Sequence, residues 1–155
     1  MKVLFLCTHN RCRSILAEAI VNHLAAGILI ARSAGSAPAG EVHPLTLKYL
    51  AQHGYPTAGL YSKSWHELGD FDPDLVITVC DQAAHEACPL WLGPVTKAHI
   101  GLRDPSALAE NRELAFKQCI HSIEQLCQRL ITIAKEPLQS QQAQQLIEQL
   151  AGTTS

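Results

Sequence analysis

The chain has 155 residues, 47% of them apolar, and 12 Lys and Arg against 14 Asp and Glu give a formal charge of −2. Such a length is a single domain, able to bury roughly 70% of its unfolded surface. The near-balanced charge offers neither the basic patch of a nucleic-acid binder nor an acidic tail. One Lys before a short apolar start, with no small-residue cleavage site behind it, does not read as a signal peptide. Six cysteines without an export signal then imply a reducing, cytoplasmic setting, where Cys is more often catalytic or redox-active than stapling.

Val3–Cys7 is an apolar run long enough for a buried strand and too short to cross a membrane. It ends in the polar turn Thr8-His9-Asn10-Arg11-Cys12-Arg13. Ser14 then opens an amphipathic run, Ile15, Leu16, Ala19, Ile20 and Leu24, at helical spacing. A strand, a short loop and a helix in that order aim backbone N–H groups and the positive end of the helix dipole at one point, where a tetrahedral oxyanion can sit. Cys7 lies at the mouth of this cup, and Arg13 can swing its guanidinium fork over the anion. The same field favours a thiolate at Cys7, because a cysteine so placed has its pKa lowered to roughly 3.5–7.5. Nucleophile and oxyanion cradle are then one structure, as phosphoryl or arsenyl transfer requires. The Ser14 hydroxyl can donate to the thiolate, and Asn10 can brace the loop by bonding its own backbone. Two other readings compete: a structural Cys under a sheet, and a zinc knuckle on Cys7 and Cys12, for which no matching tight pair follows.

Gly27 breaks the helix and Ile28–Ala31 resumes a strand, leading into Arg32-Ser33-Ala34-Gly35-Ser36 and a loop to Val42. Pro44 starts a helix with Leu47, Leu50 and Ala51 on one face, ended by Gly54. Tyr55–Asp74 is mixed, with a short helix at Ser64–Leu68, where Trp65 reads as packing and His66 as a solvated ring. Leu75–Cys80 is the clearest strand, β-branched and buried on both faces, and Val95–Ile100 is another. The alternation of helices with parallel-type strands makes the class α/β, so the loops after Cys7, Cys80 and Ile100 gather at one rim of a sheet, where ligands bind.

From Asn111 to Lys135 a long helix carries Phe116, Ile120, Ile123, Leu126, Leu130 and Ile133 at three- and four-residue steps, with Cys119 and Cys127 riding on that face as core. Beyond Pro137 the glutamine-rich end, about residues 137–155, is either a docked helix or a frayed tail.

Two further pieces of chemistry lie on the rim. Pro105 restricts Asp104 to extended geometry, so this carboxylic acid can protonate an oxygen leaving as Cys7 attacks, or cap the helix that follows. Cys80 and Cys88 flank Asp81–Ala87, and if that segment is helical their α-carbons lie about 12 Å apart. A disulfide needs about 4.4–6.8 Å, so the two pair only if the segment unwinds, and it has little to lose by melting. With Cys80 near Cys7 they would make a thiol relay; otherwise they are ordinary buried cysteines, and His85 between them is a solvated side chain.

Together, Cys7-Thr-His-Asn-Arg-Cys-Arg-Ser14, Ser33-Ala-Gly-Ser36, the Cys80…Cys88-Pro89 pair and Asp104-Pro105 resemble the arsenate reductases built on the low-molecular-weight protein tyrosine phosphatase fold. The resemblance runs from Met1 to about Lys135. It implies a four-stranded parallel sheet flanked by helices, with Cys7 as nucleophile. Thr8, His9, Asn10, Arg11, Cys12, Arg13 and Ser14 form its oxyanion loop, Asp104 is the general acid, and Cys80 and Cys88 are the relay. It also implies arsenate as substrate, with phosphate or sulfate competing, and thioredoxin or glutaredoxin with glutathione as electron source. A thiol-to-thiol path needs no metal or nucleotide cofactor. Some members bind potassium near the loop, and Asn10, Glu18 and Ser33 match part of that pattern. His9 stands where a loop glycine is common, which crowds or retunes the cup. Ser106-Ala107 stand where phosphatases of this type carry tyrosines, which favours arsenate over a phosphotyrosine ring. The alternatives are a low-molecular-weight phosphatase, which needs only Cys7, Arg13 and Asp104, and a non-enzymatic oxyanion or arsenite sensor using its cysteines as soft ligands.

Overall fold

The computed structural model describes residues 1–84 and 93–151. Its centre is β1 (Lys2–Leu6), in which side chains alternate between the two faces of the sheet. Val3 and Phe5 join the larger core, while Leu4 and Leu6 join a smaller cluster with Ala34 and Val76 on the opposite face. All four are essentially inaccessible to water, so β1 must be covered on both sides. β2 (Ile30–Ala34), β3 (Leu75–Thr78) and β4 (Thr96–His99) complete a four-stranded sheet in the order β2-β1-β3-β4, with each pair parallel. This is the α/β, single-domain architecture expected.

Two helices cover the larger face: α1 (Arg13–Leu24) and α4 (Arg112–Ala134) pack on each other. α1 is buried from Ser14 to Val21 because loop, sheet and α4 surround it, and its last predicted core residue, Leu24, is 41% exposed. α4 buries the predicted stripe in full, with Cys119 and Cys127 inside it. α2 (Pro44–Gln52) turns a different face inward than expected. Ala51 is exposed, and the buried residues are Thr46, Tyr49 and Leu50, with Tyr49 stacked on Phe116 at 4.6 Å. An aromatic ring gains more from that stack than a methyl group does, which decides the rotation. On the smaller face Trp65, Leu68 and Phe71 cover the sheet, Trp65 from a 3₁₀ turn (Trp65–Leu68) closed by a Ser64–Glu67 capping box.

β2 starts two residues later than its apolar run, because Ala25 O still accepts from the N–H groups of Ile28 and Leu29. The glutamine-rich end is a docked helix, α5 (Gln141–Ala151), with Ala143, Ile147 and Leu150 buried against β4 and α4. No described helix is long and apolar enough to cross a membrane.

The ladder runs on past the strand ends, with Cys7 N–H on Ala34 O, Val79 N–H on Leu6 O and Leu102 N–H on Val79 O. Cys7, Cys80 and the Leu102–Asp104 segment are thereby brought to one rim. A single turn, α3 (Asp81–Ala84), follows Cys80. Cys88, His85 and Pro89 lie outside the described residues.

Candidate active site

The loop between β1 and α1 is held from outside by its carbonyls. Thr8 O accepts from Ala37 N–H, His9 O from Ala39 N–H and Ser62 Oγ, and Arg11 O from His43 N–H and Thr46 Oγ1. Carbonyls turned outward leave the amides facing in: Thr8 N–H lies on Cys80 Sγ at 3.4 Å and His9 N–H on Cys7. Gly35 permits the close fit, since a Cβ there would lie 2.4 Å from Thr8 O and 2.5 Å from Cys7 O. The left-handed residue of the loop is Asn10, at φ +46, a conformation asparagine tolerates. His9 therefore needs no glycine-like backbone. Its ring is exposed with Nδ1 on Ala37 O at 3.1 Å, so it does not crowd the cup.

Asn10 braces the loop, though not through its own backbone. Its Nδ2 donates to Ser14 Oγ at 2.9 Å and its Oδ1 accepts from Lys63 N–H at 2.9 Å, all within the buried interior. Glu18 Oε1 accepts from Ser33 N–H, Ser33 Oγ and Lys63 Nζ, the last at 3.2 Å. The Asn10, Glu18 and Ser33 group considered for potassium thus already faces a cation, the Lys63 ammonium, whose side chain is 3% exposed. Lys63 was not foreseen from the sequence. It is a lone lysine in an irregular stretch, and no spacing rule links it to Glu18.

Arg13 leans over the loop, with Nη1 donating to Leu102 O at 3.0 Å and Nη2 at 4.0 Å from Asp104 Oδ2. Its Nε is buried with no partner, alone among the described side-chain nitrogens and oxygens in that respect. Orphaned donors of this kind are rare in folded proteins. Asp104 is the cap that the sequence allowed: Oδ1 closes the turn Pro105–Ala107 by accepting from Ser106 N–H and Oγ, while Oδ2 lies on the rim near Arg13.

Cys80 meets Cys7 at the mouth of the cup, their side chains hydrogen-bonded to each other. The sequence predicts a lowered pKa at Cys7, and the contact with Cys80 opposes it. Cys80 is pulled down to about 5 by its bond with Cys7 and by the N–H groups of Thr8 and Ala83, the latter at 3.4 Å. Cys7 is pushed up, first by the bond to Cys80 and then by burial, against the pull of Arg13. The two thiols are joined by one hydrogen bond and titrate as a pair, the Thr8 and Ala83 amides favouring charge on Cys80 and Arg13 and the His9 amide favouring it on Cys7. Cys12 stays a thiol. Burial raises it to about 11 even though the Thr46 side chain bonds it.

Residues 2–145 match the family model of the low molecular weight phosphotyrosine protein phosphatases. The chain belongs to this family. Its curated relatives include an arsenate reductase of Shouchella clausii, 32% identical over 72% of this chain and 78% of that protein. A glutaredoxin arsenate reductase of a Synechocystis species is 33% identical over 51% of this chain and 60% of its own length. Among solved structures, an arsenate reductase in the phosphate-binding state superposes with TM-score 0.72 at 26% identity, covering 84% of this chain and 96% of that one. In this member of the family a second thiol, Cys80, stands at the cup beside Cys7.

Proposed function

We propose that this chain reduces arsenate to arsenite, with Cys7, Arg13 and Asp104 forming an oxyanion-transfer site and Cys80 and Cys88 carrying the electrons away. The observation that carries the reading is the Cys7–Cys80 contact, since hydrolysis of a phosphate ester has no use for a second thiol on the nucleophile. Arsenate enters the cup under Arg13, where the loop amides and the unpartnered Nε bind its oxygens, and phosphate or sulfate compete for the same place. Moving a proton from Cys7 to Cys80 frees the Cys7 thiolate to attack arsenic, and Asp104 protonates the oxygen that departs as water. Cys80, once deprotonated, attacks the Cys7 sulfur. The S–S bond forms as the S–As bond breaks, and its electron pair leaves with arsenic, now trivalent. Cys88 then attacks Cys80 and releases Cys7 as the thiolate.

The resulting Cys80–Cys88 disulfide is reduced by a dithiol donor of the thioredoxin or glutaredoxin class, the latter drawing on glutathione. Such a path runs through sulfur alone and needs no bound cofactor, and it belongs in a reducing compartment. NADPH oxidation that depends on arsenate, followed with a thioredoxin system and separately with a glutaredoxin one, tests the reading and identifies the donor. Absence of arsenate-dependent oxidation in both contradicts it. Slow hydrolysis of an activated aryl phosphate accompanies the reading, because a cavity of about 280 Å³ lined by Leu102, Pro105, Leu108 and Cys119 opens beside Asp104.

A further inference from the structure

One imidazole fastens the turn after Cys80 to the sheet. His99, the last residue of β4, pairs in register with Thr78 of β3, and its Nδ1 lies 2.8 Å from Thr78 Oγ1. Its Nε2 lies 3.0 Å from Asp81 Oδ1. A carboxylate only accepts, so Nε2 carries a hydrogen, while the Thr78 hydroxyl can either give to Nδ1 or take from it. The bridge therefore holds whether the ring is neutral or charged. Gly101 lies beside it, its Cβ position 3.4 Å from Asp81 Oδ1 and 3.5 Å from His99 Nε2.

The Asp81 side chain is 90% exposed, so the ion pair adds little to the stability of the fold. Its position is what gives it consequence. Asp81 opens α3, and two residues later the Ala83 N–H reaches Cys80 Sγ at 3.4 Å, opposite the Thr8 N–H that holds the same sulfur from the anion loop. A bridge that fixes Asp81 fixes the turn that closes over Cys80.

We propose that His99 is a positioning residue for the second nucleophile, holding Asp81 so that the first turn of α3 keeps the Cys80 sulfur against Cys7 for the disulfide-forming step. The inference rests on the reductase reading above. The bridge touches Thr78 and Asp81 and none of Cys7, Arg13 and Asp104, so it reaches the first chemical step only through the Cys7–Cys80 hydrogen bond and the disulfide-forming step directly.

The experiment compares His99→Ala, Asp81→Ala and Asp81→Asn with the unmodified chain. Asp81 is exposed, so its variants fold even if His99→Ala does not. Hydrolysis of an activated aryl phosphate is expected to change by no more than about twofold in the Asp81 variants. Formation of the Cys7–Cys80 disulfide in a single arsenate turnover is expected to slow by about tenfold in both alanine variants. Asp81→Asn keeps an acceptor oxygen for His99 and is expected to restore most of that rate. A readout without arsenate is the ultraviolet thiolate absorbance of each protein minus that of its Cys80→Ser counterpart. Its midpoint is expected to move to higher pH in the alanine variants. Equal losses in hydrolysis and disulfide formation overturn the proposal, as does an unchanged disulfide rate. If the unmodified chain forms no disulfide with arsenate, the reductase reading is the one that fails. The Cys80 titration then decides the positioning claim by itself, and an unmoved midpoint overturns it.

Discussion

The two sulfurs at the rim and the two on α4 are the same chemical group in opposite surroundings. All four are buried, at 7% exposure or less. Cys119 and Cys127 lie in apolar packing, which pushes them up to about 12 and about 11 by desolvation. Cys80, also buried, falls to about 5, because a neighbouring thiol and two backbone amides receive its charge. Burial alone therefore makes a cysteine inert, and only donors aimed at the sulfur by strand ends and a loop make it reactive. In this fold the sheet rim supplies such donors and the face of a long helix does not.

The sharpest way to break that contrast is by removing each rim sulfur in turn. Cys7→Ser is expected to lower both arsenate reduction and aryl phosphate hydrolysis by about a thousandfold or more, because both begin at that atom. Cys80→Ser is expected to abolish reductant consumption while hydrolysis is kept or rises, since the bond that pushes Cys7 up is gone. Parallel steady-state assays of the two activities check this, and an equal fall in both after Cys80→Ser would erase the distinction between the rim thiols.

Next in size is the buried support beneath the rim. Lys63→Met leaves the Glu18 carboxylate without its cation in a site 9% exposed. A loss of about 3–5 kcal/mol in urea unfolding is expected, as for other broken buried pairs. Asn10 takes its second bond from the Lys63 backbone, which the substitution keeps, so the loop is expected to retain its shape where the protein still folds.

The pH dependence separates the same two regions more gently. The folded pKa of Cys80, about 5, is below its unfolded value of about 8.5, so its thiolate contributes stability that is present above the unfolded value and lost as pH falls through about 5. Cys127 is the reverse case, contributing below about 8.5 and losing that contribution as pH rises through about 11. Urea midpoints of the unmodified chain and of Cys80→Ser are therefore expected to differ most above about pH 8.5 and to converge as pH falls through about 5. The smallest effect is that of Cys127→Ala, expected to cost about 1 kcal/mol through a small cavity and to leave both activities untouched.

Much of this was legible because the relevant signals are local. A short apolar run, a polar turn and a helical stripe placed Cys7 and Arg13 at a rim, and Pro105 kept Asp104 there. The parts that were not legible depend on contacts distant in sequence. Nothing near Lys63 announces Glu18, 45 residues away. Asn10 looked able to satisfy itself locally, yet its partners are Ser14 and Lys63. The Cys7 environment was read correctly for Arg13, but a second thiol competing for the same proton outweighs that cation. The glutamine-rich end read equally as a docked helix or a frayed tail, and Ala143, Ile147 and Leu150 decide for docking because β4 and α4 present a surface to meet them.

The most direct test is a single arsenate turnover by the Cys88→Ser variant, quenched with acid and read by peptide mass spectrometry with arsenite counted alongside. The account predicts one arsenite per chain and a Cys7–Cys80 disulfide that accumulates without further turnover. Continued cycling of Cys88→Ser, or release of arsenite with Cys7 and Cys80 both still reduced, contradicts it.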